Sequence, residues 1–165
     1  AHTIAVGALR YFLLKSTRNT MIIFDFKEAL SFEGETGCFC QYSAVRANSI
    51  FRKLNEEDLA NAFVTIAENQ TKLADVIEDE VWGMVTLASR LEETIAQSAS
   101  TVEPAIVAKY TFNLAKSFNL FYHHHKILSE ENELKRAVLI ATADITRRAL
   151  TAALTILGIE VPERM

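Results

Sequence analysis

The chain has 165 residues, of which half are apolar, with 2 prolines, 5 glycines and a formal net charge of −4. This length suffices for one domain with its own core, and so little proline and glycine is typical of a compact helical protein rather than a disordered one. No uncharged apolar run is long enough to cross a bilayer, and the negative charge weighs against a surface that is basic throughout.

The acidic residues are concentrated in the middle of the chain. Eight acids and a single base, Lys72, lie within residues 56–80, whereas the remainder carries 16 basic and 13 acidic residues. We therefore expect a solvated acidic face in the middle segment, and a local basic face elsewhere remains compatible with the composition.

The first elements are predicted to be two helices joined by a polar break and an extended stretch. Apolar spacing predicts a largely buried helix over residues 4–15, and Asp25 begins a capping-box pattern that opens a short helix ending near Leu30. The first residues include neither a basic leader region nor an initiator methionine. We expect no signal peptide, and we expect the chain to be a fragment of a longer protein.

A glycine-containing loop precedes the third predicted helix. Gly34 and Gly37 lie in the segment 31–37, where glycine permits a positive φ and close approach by a backbone or ligand. The helix predicted over residues 38–53 then places Phe39, Tyr42 and Arg46 one turn apart on one face.

The rest of the chain is predicted to be helical throughout. Helices are expected over residues 54–70, 73–97, from Pro104 to about 122, and 129–157, with Gly158 ending the last one. Because no strand pattern alternates with these segments, the fold class is all-α, a multi-helix bundle forming one domain over residues 1–165.

No signature of catalysis or of a metal site is found in the sequence. Phosphate-binding glycine motifs are absent, and His123, His124 and His125 point in different directions on a helix, which favours a solvated helix end. Cys38 and Cys40 are spaced too closely for an unstrained disulfide and have no second pair with which to bind zinc, so two reduced thiols are expected.

Two stretches in the right order resemble one family. The stretch FDFKEALSFEGETGCFCQYSAVRANSI near the start and the terminal GIEVPERM are similar to the C-terminal region of arginyl-tRNA synthetases, which contains a helical bundle named for a D-A-L-R motif. The matching parts cover more than half of the chain, and residues 55–102 match only as generic helix. The resemblance implies an all-α bundle of the class I synthetase anticodon-binding type.

The resemblance also implies a function. The chain would bind the anticodon loop and stem of arginine tRNA for an arginine–tRNA ligase of the cytoplasm, most simply as a monomer. The partner within the enzyme would be its own catalytic domain, which uses ATP and Mg²⁺. The two class I ATP-site signatures of the family do not occur in this sequence, so no catalytic residue and no cofactor are assigned to this chain.

By residue-by-residue match, the family implies tRNA contacts in three places. The first is the loop, the second is the helix that follows it, and the third comprises the end of the penultimate helix and the last residue of the chain. In chain order the residues are Gly34, Glu35, Thr36, Gly37, Phe39, Tyr42, Arg46, Tyr122 and Met165. Unpaired bases expose flat faces, which stack on aromatic rings and guanidinium planes. Lys126 and Arg164 are candidate phosphate partners by charge alone.

Departures from the family pattern keep alternatives open. The family commonly has Pro-Tyr-Leu where this chain has Cys38-Phe39-Cys40, so a tyrosine hydroxyl is absent at position 39. Phe39 and Tyr42 could instead be core residues. A helical scaffold that binds another protein, or the related bundle of a cysteinyl enzyme or of a glycyl enzyme subunit, are the competing functional interpretations.

Overall fold

The protein is a bundle of α-helices without strands in the part of the chain that is described. The computed structural model describes residues 1–165, apart from the side chain of Glu56. The helices are α1 (His2–Leu14), α2 (Phe26–Ala29), α3 (Gly37–Phe51), α4 (Glu56–Glu68), α5 (Asp79–Ser89), α6 (Leu91–Thr101), α7 (Ala105–His124) and α8 (Glu133–Ile156), with a 3-10 helix at Gln70–Asp75. The all-α prediction is confirmed.

Helix α8 forms the centre of the bundle. It packs against α3, α4, α5 and α7, while α1 packs mainly on α3 and α6 on α7. Its side chains Leu150 and Leu154 are fully buried, as are Phe118 and Phe121 of α7. Burying such large apolar side chains contributes about 1.5–3 kcal/mol each, so the contact between α7 and α8 is a main source of stability.

Several helix ends lie where the sequence predicts them. The Asp25 carboxylate accepts hydrogen bonds from the backbone N–H groups of Lys27 and Glu28, which confirms the cap of α2. Gly158 follows α8 with a φ of 69°, as expected for a residue in the left-handed region after a helix. These ends depend on local hydrogen bonding, which is why the sequence alone reveals them.

The prediction of a single long helix over residues 73–97 is wrong. The structure has the 3-10 helix first, then α5 beginning after the extended residue Glu78, and a break at Arg90 before α6. Helix α5 buries Val81 and Met84 and packs on α8, whereas α6 buries no residue completely and contacts α7 instead. The apolar residues of α5 and those of α6 therefore pack against different helices. A single straight helix could not make both sets of contacts.

None of the helices in the described chain is both long enough and apolar enough to span a bilayer.

Candidate nucleic-acid interface

The glycine-containing loop is fastened to α3 by a threonine cap. The Thr36 hydroxyl accepts a hydrogen bond from the backbone N–H of Phe39 at 3.1 Å and donates one to the Ser31 carbonyl at 2.6 Å. Lys15 reaches across from the end of α1 and donates to the Glu35 carbonyl at 3.3 Å. The loop is therefore held in a defined shape, with Thr36 buried beneath it.

The two loop glycines have different environments. Gly34 is exposed and has a φ of 80°, with open space where a side chain would begin. Gly37 is buried where α3 crosses α1, and a Cβ there would lie 2.5 Å from the Gly7 carbonyl oxygen. Gly34 is thus at the surface available to a ligand, whereas Gly37 permits two helices to approach each other closely.

The predicted residues Tyr42, Arg46 and Tyr122 come together at the surface between α3 and α7. The Arg46 guanidinium carbon lies 4.8 Å from the centre of the Tyr42 ring and 5.3 Å from that of Tyr122. Nη2 of Arg46 donates a hydrogen bond to the Tyr42 hydroxyl at 2.9 Å. A guanidinium between two aromatic rings is stabilised electrostatically by their negative faces.

Two further residues complete this surface, and the sequence did not indicate them. Phe32 of the loop meets the Tyr42 ring edge-on, with 6.2 Å between ring centres, and is 54% exposed. The side-chain oxygen Oδ1 of Asn119 accepts a hydrogen bond from Arg46 Nη1 at 3.2 Å. Asn119 precedes Tyr122 by one turn of α7, so its spacing was the available signal. We call Phe32, Tyr42, Arg46, Asn119 and Tyr122 the arginine–tyrosine cluster.

The positive charge of Arg46 is not neutralised by any carboxylate that the structure describes. All described ion pairs involve other residues. Arg46 is half-buried and keeps three of its five N–H donors outside the two hydrogen bonds above. The cluster therefore presents flat rings, a cation and hydrogen-bond donors on one surface, the combination that suits phosphate and unstacked bases.

The other predicted contact residues make different contacts. The Phe39 ring packs against Phe112 of α7, with 5.4 Å between ring centres, and is only partly exposed. Glu35 forms an ion pair with Lys109 at 3.3 Å. Met165 is partly exposed at the end of a tail that Arg52 fastens to α3 by donating to the Glu163 carbonyl at 3.0 Å. Both side chains are thus partly exposed, and that of Phe39 also contributes to packing.

Two buried groups beneath the loop are held neutral. Burial raises the pKa of the Cys40 thiol, and burial likewise raises the pKa of Tyr11, whose hydroxyl donates to the Ala108 carbonyl at 2.9 Å. Cys38 and Cys40 are both free and fully buried, as the reduced thiols predicted from the sequence. These residues support the site from inside the bundle.

The histidine run contacts α5 and not the cluster. His124 Nδ1 and His125 Nε2 each approach Glu80 Oε2, at 3.1 and 3.2 Å. His125 is buried, so the expectation of a solvated helix end is wrong for this residue. Among the described residues, no group of three or more histidines, cysteines and acids is suited to hold a metal ion.

Lys126 is exposed at the end of α7 and Arg164 at the end of the tail. Their roles as phosphate partners therefore remain predictions.

Known proteins resemble this chain over its whole length. It is 38% identical to an arginine–tRNA ligase of Streptococcus suis and 36% identical to one of Clostridium perfringens, in each case over 165 residues. The arginyl-tRNA synthetase of Thermus thermophilus superposes with a TM-score of 0.80 at 28% identity over 99% of the chain. The corresponding enzyme of Plasmodium falciparum has the same fold, with a TM-score of 0.79 at 23% identity over 99% of the chain.

The chain spans only 27–28% of the length of these bacterial relatives, and 27% of each of the two solved chains. The DALR anticodon binding domain family matches residues 40–165, which include Tyr42, Arg46 and Tyr122. This match covers well over half of the chain, and the fold agrees with it. The chain therefore belongs to the DALR anticodon binding domain family.

Proposed function

We propose that this chain recognises the anticodon loop of arginine tRNA as part of a longer, cytoplasmic arginine–tRNA ligase. The observation that supports the proposal most directly is the arginine–tyrosine cluster. The chain belongs to an anticodon-binding family, and the cluster presents two tyrosine rings together with an arginine that has no described acidic partner. Unpaired anticodon bases can stack on these rings, and each stacked base contributes about 1–3 kcal/mol.

The role of the chain within the enzyme is to bind and position the tRNA. The remaining part of the longer enzyme would carry out aminoacylation with ATP and Mg²⁺, and no residue of this chain is assigned to that chemistry. Gly34 and Met165 are further surface positions that an anticodon loop could contact. Thr36 and Gly37 act indirectly, because both are buried: Thr36 holds the loop in shape, and Gly37 permits the close approach of α3 and α1.

An apolar groove supports a contact with another part of the enzyme. It has a volume of about 380 Å³ and is lined by residues of α1, the extended stretch and α2, among them Leu9, Phe24, Phe26 and Leu30. Met21 and Ile23 beside them are 88% and 83% exposed. Exposed apolar surface of this kind marks protein–protein contacts, so we assign the groove to the catalytic domain of the longer enzyme.

The tRNA proposal is tested by titration. We expect the chain to bind arginine tRNA more tightly than the same tRNA with altered anticodon bases, in filter-binding or anisotropy assays. Tyr42→Ala and Arg46→Ala should each weaken binding about 5- to 100-fold, because each removes a stacking surface. Arg46→Ala should also reduce the slope of log K against log salt by about 0.7 if Arg46 neutralises one phosphate of a single strand.

Arg90→Ala is the matched control for the charge change. Arg90 is exposed at the break between α5 and α6, so its loss should leave affinity and selectivity unchanged. Equal, weak binding to both tRNAs would favour the protein-binding scaffold instead. Preference for a cysteine or glycine anticodon would assign the chain to one of the related enzymes. Circular dichroism must show intact helices in each variant, since loss of helix would mean that the side chain is structural.

The groove is tested in the longer enzyme and in the chain by itself. Phe26→Asp should lower aminoacylation by the longer enzyme, because Phe26 lines the groove and is exposed, so that the change places a charge in an apolar contact. In the chain by itself, the same change should leave RNA binding unchanged. Unaltered aminoacylation would exclude the groove as the contact surface. Size-exclusion chromatography of the chain over a range of concentrations tests the expected monomer.

A further inference from the structure

A partly buried chain of hydrogen bonds links the arginine–tyrosine cluster to the backbone of α3. Ser43 is fully buried and its hydroxyl donates to the Phe39 carbonyl at 2.8 Å. The Asn119 amide nitrogen donates to the same Ser43 oxygen at 2.8 Å. The Asn119 oxygen in turn accepts from Arg46 Nη1 at 3.2 Å, so the chain ends at the guanidinium.

The direction of every bond in this chain follows from elementary chemistry. A carbonyl oxygen cannot donate, so Ser43 must donate to Phe39 and can only accept from Asn119. The reverse orientation of the Asn119 amide would set two acceptors against each other at Ser43 and two donors against each other at Arg46. The amide orientation of Asn119 is therefore dictated by its neighbours.

The same reasoning continues to the surface. Arg46 has only donors, so the Tyr42 hydroxyl must accept the bond from Nη2 at 2.9 Å. The hydrogen of that hydroxyl is then directed away from Arg46. This hydrogen and the remaining N–H groups of Arg46 have no hydrogen-bond partner among the described residues, so both groups can act as donors to a ligand.

We propose that the Tyr42 hydroxyl binds the RNA as a hydrogen-bond donor and that Asn119 is the residue that positions it, acting through Arg46. The inference rests on the tRNA-binding function proposed above and specifies its chemistry. The partner on the RNA is an acceptor: a non-bridging phosphate oxygen, or a carbonyl oxygen or unprotonated ring nitrogen of a base. An exocyclic amino group would leave the hydroxyl hydrogen of Tyr42 without an acceptor.

The experiment uses a double-mutant cycle in the 165-residue chain, with a labelled anticodon stem–loop of arginine tRNA as the probe. Tyr42→Phe keeps the ring and removes the hydroxyl, and should weaken binding about 2- to 10-fold, the range of one net hydrogen bond. Asn119→Ala should weaken binding by releasing Arg46. In the Asn119→Ala background, Tyr42→Phe should weaken binding by less than about twofold, since the hydroxyl is no longer oriented.

Additivity of the two changes would show that Asn119 has only a structural role, which would overturn its assignment as a positioning residue. If Asn119→Ala does not fold, Ser43→Ala replaces it in the cycle, because it removes the acceptor that fixes the amide while alanine is well accepted in a helix. Urea unfolding verifies that the variants are folded.

Modified RNAs distinguish the two sources of the acceptor. One set carries a neutral methylphosphonate at each loop linkage in turn. The other set carries, at each loop position in turn, base analogues that each lack one carbonyl oxygen or one unprotonated ring nitrogen. The penalty of Tyr42→Phe should vanish on one modified RNA, whose modification then identifies the acceptor as phosphate or base. A penalty that persists on every modified RNA would overturn the inference.

The inference and the proposed function fail in different ways. No binding of the stem–loop by the unchanged chain would refute the proposed function, and the inference with it. Binding by the unchanged chain that Tyr42→Phe leaves unaltered would refute the inference alone.

Discussion

Replacing Gly37 by alanine should weaken the contact between α1 and α3. A Cβ at this position would lie 2.5 Å from the Gly7 carbonyl oxygen, and 2.9 Å from both the Gly7 carbonyl carbon and Tyr11 Cβ. The first two of these atoms belong to the backbone of α1, so no side-chain rotation can make room. The whole of α1 must instead move away from α3.

The cost can be worked out from what that movement disturbs. Forcing one extra methyl group into a packed interior costs about 1–3 kcal/mol. We expect the upper part of this range, because α1 also takes part in two hydrogen bonds to other helices. The Tyr11 hydroxyl donates to the Ala108 carbonyl in a buried bond, and Gln41 of α3 donates to the Thr3 carbonyl in a partly buried one. For a chain of this size, about 2–3 kcal/mol corresponds to a decrease in Tm of roughly 4–12 °C.

Gly83→Ala is the matched control, since it makes the same chemical change inside a helix. Gly83 lies in α5 with open space around the position of a new Cβ. Alanine there should stabilise the protein by about 0.5–1 kcal/mol through helix propensity. Urea unfolding followed by circular dichroism measures both variants. The packing argument is wrong if Gly37→Ala proves as stable as Gly83→Ala, and a loss of RNA binding without a loss of stability would instead mean that Gly37 serves the ligand.

Three further predictions concern other parts of the molecule. Val102 ends α6 with a φ of 52° and is exposed, so Val102→Gly should stabilise the protein by about 1 kcal/mol, measured by urea unfolding. Burial raises the pKa of Tyr110 to about 12, and its hydroxyl donates to the Ala88 carbonyl at 3.1 Å. In the unfolded chain the tyrosine has its ordinary pKa of about 10, so this group should make the free energy of unfolding fall between pH 10 and 12, at up to about 1.4 kcal/mol per pH unit. Tyr110→Phe should make the free energy of unfolding depend less steeply on pH in this range, and should lower it by about 1 kcal/mol at neutral pH. Urea unfolding at a series of pH values tests both effects. Burial raises the pKa of the Cys38 and Cys40 thiols, so a disulfide reagent should label them only as fast as the protein unfolds, and rapid labelling in native buffer would contradict their burial.

The apolar pattern of α5 and α6 illustrates a limit of reasoning from periodicity. Apolar residues recur at helical spacing throughout residues 73–97, and the sequence therefore predicted one helix. In the folded chain, Val81 and Met84 are buried in the core. Helix α5 ends before Arg90, and α6, which begins after it, has no buried residue. Periodicity describes which residues are apolar, but it does not say which neighbouring helix each turn will meet.

The candidate site was predictable in part. Tyr42 and Arg46 are four residues apart on α3, so their proximity follows from helix geometry. Their meeting with Tyr122 follows from the packing of α3 on α7, which brings together residues far apart in the chain. Phe39 also lies one turn from Tyr42 on α3, so helix spacing places it on the same face. Its ring nevertheless packs against Phe112, because that residue of α7 lies opposite this turn of α3.

The sequence by itself determined the all-α class, the caps at Asp25 and Gly158 and the pairing of Tyr42 with Arg46. All of these depend on residues within a few positions of each other, where backbone geometry leaves few alternatives. Only the tertiary structure decided that Gly37 packs against Gly7, that Asn119 and Phe32 join the arginine–tyrosine cluster, and that Phe39 turns to Phe112. These contacts join distant segments, and their partners are set by how whole helices pack to fill the core at high density.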